Sequence, residues 1–166
     1  MHMRNWCRGL TLIELCFAMA IVAVIAGMAA PGFQSALRAA AVRSATFDLL
    51  AGLQITRRNA ILESRPLDLC PSDSRGNCVG AGVPTPYWRS SPDTGSGNLP
   101  VASHMLPAGV VVRSSRSPLR FSPNAVSAST GTLTICDEQG VAAPRAIVLS
   151  LSGRARLAAA PAEACQ

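Results

Sequence analysis

The chain has 166 residues, which is enough for one modest domain with an appended segment. Its 15 basic residues are all arginine and outnumber 9 acidic ones, so the net charge is +6. The two histidines, His2 and His104, have no carboxylate or cysteine at a catalytic spacing. Metal-ligand clusters and glycine-rich phosphate loops are also missing from the sequence, so we expect neither an enzyme nor a bound metal or cofactor.

A long apolar run follows a short basic N-terminus that carries Arg4 and Arg8. Residues 10–30 contain one charge, Glu14, and are long enough to span a bilayer core of roughly 30 Å as a helix. The basic residues predict a cytoplasmic N-terminus and export of the rest of the chain. A cleaved secretory signal peptide is the competing interpretation. A carboxylate inside the apolar run costs about 2.5–3.5 kcal/mol, however, and a disposable signal has no use for it.

The segment RGLTLIEL (residues 8–15) resembles the prepilin signature of type IV pilins and type II secretion pseudopilins. The resemblance implies that residues 1–9 are a leader, which a prepilin peptidase cleaves after Gly9, and that Leu10 is then N-methylated. It also implies that Glu14 meets the terminal amine of a neighbouring subunit during assembly. That role is physically reasonable because a buried carboxylate needs a cation. Leu10 stands where phenylalanine is usual in the family.

Pro31-Gly32 interrupts the apolar run, and the resemblance implies a kink of the long helix there. From Phe33 a helical pattern resumes, so we expect residues 31–63 to be an amphipathic continuation of the helix. Its apolar residues recur at spacings of three, four and seven, which predicts one buried stripe made of Phe33, Leu37, Ala40, Phe47 and Leu50. The pair Arg57-Arg58 is interpreted as a solvated face or as a charge complement to the helix C-terminus.

Residues 64–166 are richer in proline, glycine, serine and short β-type runs. Five runs predict strands over residues 66–70, 109–113, 119–123, 131–136 and 145–151. Residues 80–100 are typical of a loop, which we expect Tyr87 and Trp88 to anchor on the sheet. The predicted fold class is α+β and type IV pilin-like: a long N-terminal helix, transmembrane in its first half, packed on an antiparallel β-sheet domain.

Four cysteines lie in the segment that we expect outside the cytoplasm: Cys70, Cys78, Cys136 and Cys165. Cys7 falls in the predicted leader and Cys16 in the membrane helix. An even number of cysteines in an oxidising compartment predicts two disulfides, and three pairings are possible. We favour Cys70–Cys78, which closes a short polar loop, and Cys136–Cys165, which attaches the tail to a strand. A zinc site is the alternative, although the sequence contains no Cys-x-x-Cys pair.

The order of segments, from RRNAILESRPLDLCPSDSRGNC through LRFSPNA and GTLTIC to PRAIVLSLSGRARL, resembles the FimT/GspH family over essentially the whole chain. GspH-like members are pseudopilins of type II secretion, and FimT-like members are minor pilins of type IV pili. Some FimT proteins bind DNA during natural transformation, and a Gly-Arg-x-Arg motif near the C-terminus marks them. Gly153, Arg154 and Arg156 match that motif residue by residue. Asn124-Ala125 replaces the glycine that the family has after LRFSP.

The arginines of the motif are chemically suited to phosphate binding. In an extended segment, positions 154 and 156 lie on one face about 7 Å apart, and Ala155 and Leu157 face the sheet. A guanidinium donates two hydrogen bonds to one phosphate, and backbone binding of this type is sequence-independent and salt-sensitive. Other arginines are candidates for the same patch: Arg113, Arg116, Arg120 and Arg145.

We therefore expect a minor pilin of a type IV pilus that binds double-stranded DNA and supports its uptake in natural transformation. It would be a single-pass inner-membrane protein with a periplasmic C-terminal domain. Its partners would be DNA, other pilin subunits, the prepilin peptidase and the membrane. The alternative is a structural pseudopilin of a type II secretion system, in which Arg154 and Arg156 are only hairpin surface or subunit contacts.

Overall fold

The computed structural model describes residues 11–92, 102–124 and 129–165. The chain divides into two units, one up to Ala36 and one from Leu37 onward. The predicted leader and the methylation site, Gly9 and Leu10, lie outside the described residues. Cleavage and methylation therefore stay predictions from the sequence.

The described part of the first unit is helical. It contains the start of helix α1 (Leu12–Leu62), which continues into the second unit. Large apolar side chains of this unit are exposed along the helix: Leu12, Ile13, Leu15, Phe17, Met19, Ile21, Val22, Val24, Ile25, Met28 and Phe33. Among the described residues, no helix by itself has the length and hydropathy of a membrane span. The two segments of α1 on either side of a bend, Leu12–Met28 and Gly32–Leu62, reach the length and hydropathy of a membrane span only when they are taken together.

The second unit places two antiparallel four-stranded sheets beside its part of α1. The strands are β1 (Leu67–Ser72), β2 (Tyr87–Ser91), β3 (Ala102–Met105), β4 (Val110–Ser114), β5 (Leu119–Phe121), β6 (Gly131–Asp137), β7 (Arg145–Leu149) and β8 (Ala155–Ala159). One sheet has the order β3-β2-β1-β5 and the other β4-β6-β7-β8. A short 3₁₀-helix, Ala162–Cys165, follows β8.

Five strands correspond to the predicted runs, and three were missed. β2 lies inside the segment that was predicted to be a loop. It was missed because its sequence, YWRSS, lacks a regular alternation of apolar and polar residues. β3 has only four residues and forms the edge of its sheet. β8 is rich in alanine and mostly exposed, so neither composition nor pattern marks it as a strand.

The buried stripe of α1 is not the predicted one. Phe33, Leu37, Ala40 and Phe47 are exposed, and only Leu50 of the predicted set packs against the core. The buried residues are instead Val42, Ala45, Thr46, Leu49, Gly52, Leu53, Thr56 and Ala60. Both sets are compatible with the helical repeat, so periodicity alone cannot choose between faces of a helix that is apolar on several sides.

Small and hydroxyl-bearing residues suit the buried face because the sheet lies close to the helix. A Cβ atom added at Gly52 would come within 2.3 Å of the Trp88 ring. Thr46 donates a hydrogen bond to the carbonyl of Val42 at 2.6 Å, which satisfies its buried hydroxyl. Trp88 is buried, but the expectation that it anchors a loop on the sheet is wrong: it belongs to strand β2, and its ring packs beside Gly52 of α1.

Both favoured disulfides are present, Cys70–Cys78 and Cys136–Cys165. The first closes a polar loop in which Asp73 accepts hydrogen bonds from the backbone N–H groups of Arg75 and Asn77. The second attaches the C-terminal 3₁₀-helix to β6. The last strand, β8, is therefore held twice, by its pairing with β7 and by the bridge that follows it.

Candidate nucleic-acid interface

The motif Gly153-Arg154-x-Arg156 lies at the hairpin that joins β7 to β8. The backbone N–H of Ser150 donates to the carbonyl of Arg154 at 3.1 Å, and the N–H of Gly153 donates to the carbonyl of Ser150 at 2.8 Å. The Ser150 hydroxyl also donates to the Arg154 carbonyl, at 3.1 Å. Gly153 is buried with φ +70°, a conformation that favours glycine. The glycine therefore forms the tight turn that positions Arg154.

The strand itself begins only after the first arginine of the motif. β8 starts at Ala155, so Arg156 lies within the strand and Arg154 lies in the turn just before it. Ala155 packs against the core as expected. Leu157, which we expected to face the sheet, pairs with Ile147 and is 45% exposed on β8, an edge strand of its sheet.

Arg154 lines a groove of about 420 Å³ between the hairpin and the C-terminal part of α1, which we name the helix groove. The hairpin wall consists of Gly153, Arg154 and Ala155. The α1 wall consists of neighbouring residues on successive helical turns: Leu53, Gln54, Arg57, Arg58, Ile61 and Leu62. Three arginines therefore line one groove that also has apolar side chains.

Arg156 lines a second groove, of about 570 Å³, which we name the sheet groove. It shares this groove with Arg116 from the β4–β5 connection and with Val148, its partner across the β7–β8 ladder. Arg154 and Arg156 thus contribute to two different grooves beside one turn. The sequence expectation of one shared face is replaced by two neighbouring basic sites.

The other arginines considered from the sequence have different surroundings. Arg145 starts β7 opposite Ala159 and is three residues from Val148, so strand alternation places it on the other face from that residue. Arg113 is half-buried in β4 opposite Thr134. Arg120 donates two hydrogen bonds to the buried carboxylate of Asp68, at 2.8 and 2.7 Å. Arg116 lines the sheet groove together with Arg156 of the motif.

The arginines of the two grooves are not neutralised by carboxylates of the described chain. Within residues 11–92, 102–124 and 129–165, no ion pair involves any of Arg57, Arg58, Arg116, Arg154 and Arg156. Nearby Glu63 instead binds Arg65. Clustered cations without counter-charges create a positive potential that attracts an external anion.

The sequence did not reveal that Arg57 and Arg58 line the helix groove together with Arg154. The pair was interpreted as a solvated face or as a charge complement to the helix C-terminus. The pair is visible in the sequence as adjacent basic residues near the end of a helix. Its proximity to Arg154 depends on how the last hairpin packs beside α1, which no local pattern encodes. The position of this hairpin relative to α1 is therefore the information that the sequence lacks.

Glu14 has a local role at the start of α1 in addition to the one implied by resemblance. The backbone N–H of Thr11 donates to the Glu14 carboxylate at 3.4 Å, and the N–H of Glu14 donates to the Thr11 hydroxyl at 3.3 Å. This reciprocal pair is a capping box, and its Thr-x-x-Glu signature is present in the sequence. A carboxylate in the first turn of a helix is also stabilised by the helix dipole.

Residues 45–153 match the family model described as "Type II transport protein GspH". No curated protein matches the chain. Among solved structures, the type IV minor pilin FimU of Pseudomonas aeruginosa superposes with a TM-score of 0.51 at 20% identity, covering 73% of this chain and 94% of that one. The minor pseudopilin EpsH of the Vibrio cholerae Type 2 Secretion System gives a TM-score of 0.54 at 12% identity, covering 71% and 96%. The α+β, type IV pilin-like fold is thus confirmed.

Proposed function

The chain belongs to the GspH family of minor pilins and pseudopilins, and from that premise we propose that it is a minor pilin of a type IV pilus that binds DNA. The DNA is contacted through its phosphates, without sequence specificity, by the hairpin that carries Gly153, Arg154 and Arg156. In this role the protein supports DNA uptake during natural transformation.

The observation that carries this proposal is the position of the motif arginines in two grooves beside one hydrogen-bonded turn. Arg154 and Arg156 are exposed and belong to no ion pair among the described residues. The hairpin is closed by three hydrogen bonds, so the backbone that carries the guanidiniums needs no further ordering when they meet a phosphate, and the entropy cost is confined to the two side chains. A guanidinium donates to a phosphate in bidentate fashion, which favours arginine over lysine at such sites.

One copy of this surface offers few phosphate contacts, so binding by a single subunit should be weak and strongly salt-dependent. Firm capture needs several copies or additional subunits on one fibre, because tethered sites raise the effective concentration of the next contact. This need for multivalency fits a protein that functions in an assembled pilus.

The first unit supplies the anchoring and assembly part of the proposal. Its large apolar side chains are exposed in the isolated chain, which is the expected state of a segment that is covered by lipid or by other subunits. We propose that the prepilin peptidase cleaves after Gly9, that Glu14 pairs with the N-terminal amine of a neighbouring subunit, and that the second unit is periplasmic.

The second candidate function is that of a pseudopilin in a type II secretion system. It is favoured by the description of the matching family model and by the similarity to EpsH. In that case the arginines of the hairpin contact other subunits and have no role in DNA binding. The two candidates therefore differ in whether Arg154 and Arg156 are needed for binding to DNA.

The proposal is tested by titrating the full chain, solubilised in a nonionic detergent, against a fluorescent DNA duplex at low and moderate salt. We expect Arg154→Ala/Arg156→Ala to weaken binding at least tenfold, since each charged hydrogen bond to phosphate contributes about 1.5–3 kcal/mol. The matched control is Arg43→Ala/Arg75→Ala, which removes the same charge at two exposed arginines outside both grooves.

Wild-type protein that shows no salt-sensitive binding would contradict the proposal. Equal losses in the motif variant and the control would also contradict it, because they would indicate that net charge alone drives association. In either case the pseudopilin function would become the preferred one.

A further inference from the structure

We infer that Arg57 and Arg58 of α1 belong to the same phosphate-binding site as Arg154, so that the DNA contact surface extends from the hairpin onto the helix. The inference rests on the proposed DNA binding and goes beyond the Gly-Arg-x-Arg motif. The site is the helix groove, and the ligand chemistry is the sugar–phosphate backbone of DNA.

The geometry of α1 places the two arginines side by side on the groove wall. Arg57 and Arg58 are followed one turn later by Ile61 and Leu62, which line the same groove. Arg58 is exposed and Arg57 is half-buried, so both remain accessible to a ligand while Arg57 packs part of its stem on the protein. Arg154 faces them from the hairpin wall of the groove.

The charge of the groove favours a polyanion. Among the described residues, none of its three arginines is in an ion pair, and its lining includes no carboxylate. Three guanidiniums around one groove repel each other, and a bound phosphate relieves that repulsion. A strand of DNA supplies a series of phosphates at close spacing, which one small anion does not.

The apolar part of the groove suits the sugar that connects successive phosphates. The side chains of Ile61 and Leu62 are 43% and 67% exposed, so they offer a hydrophobic surface at the mouth of the groove. Among the described residues, the lining includes no aromatic ring on which a base could stack. The groove is therefore built for backbone contact, which is indifferent to sequence.

The experiment compares the salt dependence of duplex binding for the full chain in detergent and for three double variants. We expect Arg57→Gln/Arg58→Gln to weaken binding about three- to tenfold and to lower the slope of log K against log salt by about one to two. Glutamine keeps much of the aliphatic stem, and circular dichroism checks that the variant is folded. Arg43→Gln/Arg75→Gln is the control for lost charge, and it should keep the wild-type slope.

Three results would overturn the inference, and they are distinguishable. If Arg57→Gln/Arg58→Gln behaves like the control while Arg154→Ala/Arg156→Ala loses binding, the motif binds DNA without the helix, and only the present inference fails. If wild type and all variants bind equally or not at all, the proposed function fails together with it. If Arg57→Gln/Arg58→Gln weakens binding but keeps the wild-type salt slope, the two arginines do not contact phosphates, and the inference fails as well.

Discussion

The two parts of helix α1, before and after residue 37, both carry many apolar side chains, but these side chains have opposite surroundings. In the first unit the apolar side chains are exposed, whereas in the second a stripe that includes Val42, Leu49 and Leu53 is buried in a shared core. The difference teaches that apolar periodicity reports only the capacity for burial. The covering partner decides which face is used, and in the described part of the second unit the two sheets supply that partner.

The contrast between the buried and the exposed part of α1 is tested most strongly by shortening one apolar side chain in each part. Leu49 is fully buried, so Leu49→Ala should lower the free energy of unfolding by about 2–5 kcal/mol through lost contacts and a cavity. Ile21 is exposed in the first unit, so Ile21→Ala should leave that free energy unchanged. Denaturant unfolding of the full chain in detergent, followed by near-UV circular dichroism, measures both values.

A loss of similar size in Ile21→Ala would show that the first unit contributes to the stability of the folded domain. The distinction between the two parts of the helix would then be wrong. A negligible loss in Leu49→Ala would contradict the assignment of the buried stripe instead.

A smaller effect is expected from adding one methyl group at a glycine in each unit. Gly153 has φ +70°, so Gly153→Ala should destabilise the protein by about 1–2 kcal/mol because an L side chain is strained there. Gly27 lies within α1, and a Cβ atom added there would meet no other atom within 4 Å, so Gly27→Ala should be neutral or slightly stabilising. Thermal unfolding in detergent compares the two variants.

Gly153→Asn tests whether the left-handed backbone conformation is the reason for glycine at this position, since asparagine tolerates that conformation better than alanine does. It should retain more stability than Gly153→Ala. Equal stability of wild type and Gly153→Ala would show that the hairpin can form without the left-handed turn, and the turn would no longer explain the glycine of the motif.

Much of the fold could be predicted because its signals are local. The RGLTLIEL segment, the turn-separated β-type runs and the four cysteines each have a short-range signature, and the two disulfides pair as expected. The missed strands, β2, β3 and β8, are short, exposed or compositionally atypical. They form because neighbouring strands supply hydrogen-bond partners, which a sequence pattern does not reveal.

The candidate site could be predicted only in part for the same reason. Gly153, Arg154 and Arg156 form a local motif, and its turn follows from the serine and glycine around it. The division of Arg154 and Arg156 between two grooves depends on where β8 begins. The proximity of Arg57 and Arg58 to the motif depends on packing between segments far apart in the chain.

The central claim, that the groove arginines contact DNA, is tested most directly by arginine footprinting. All basic side chains of the protein other than its two histidines are arginine, so phenylglyoxal modification followed by mass spectrometry reports on each one in the same experiment. The account predicts that a DNA duplex protects Arg57, Arg58, Arg116, Arg154 and Arg156, while Arg43 and Arg75 react as fast as in free protein. Equal modification of the groove arginines with and without DNA would contradict it.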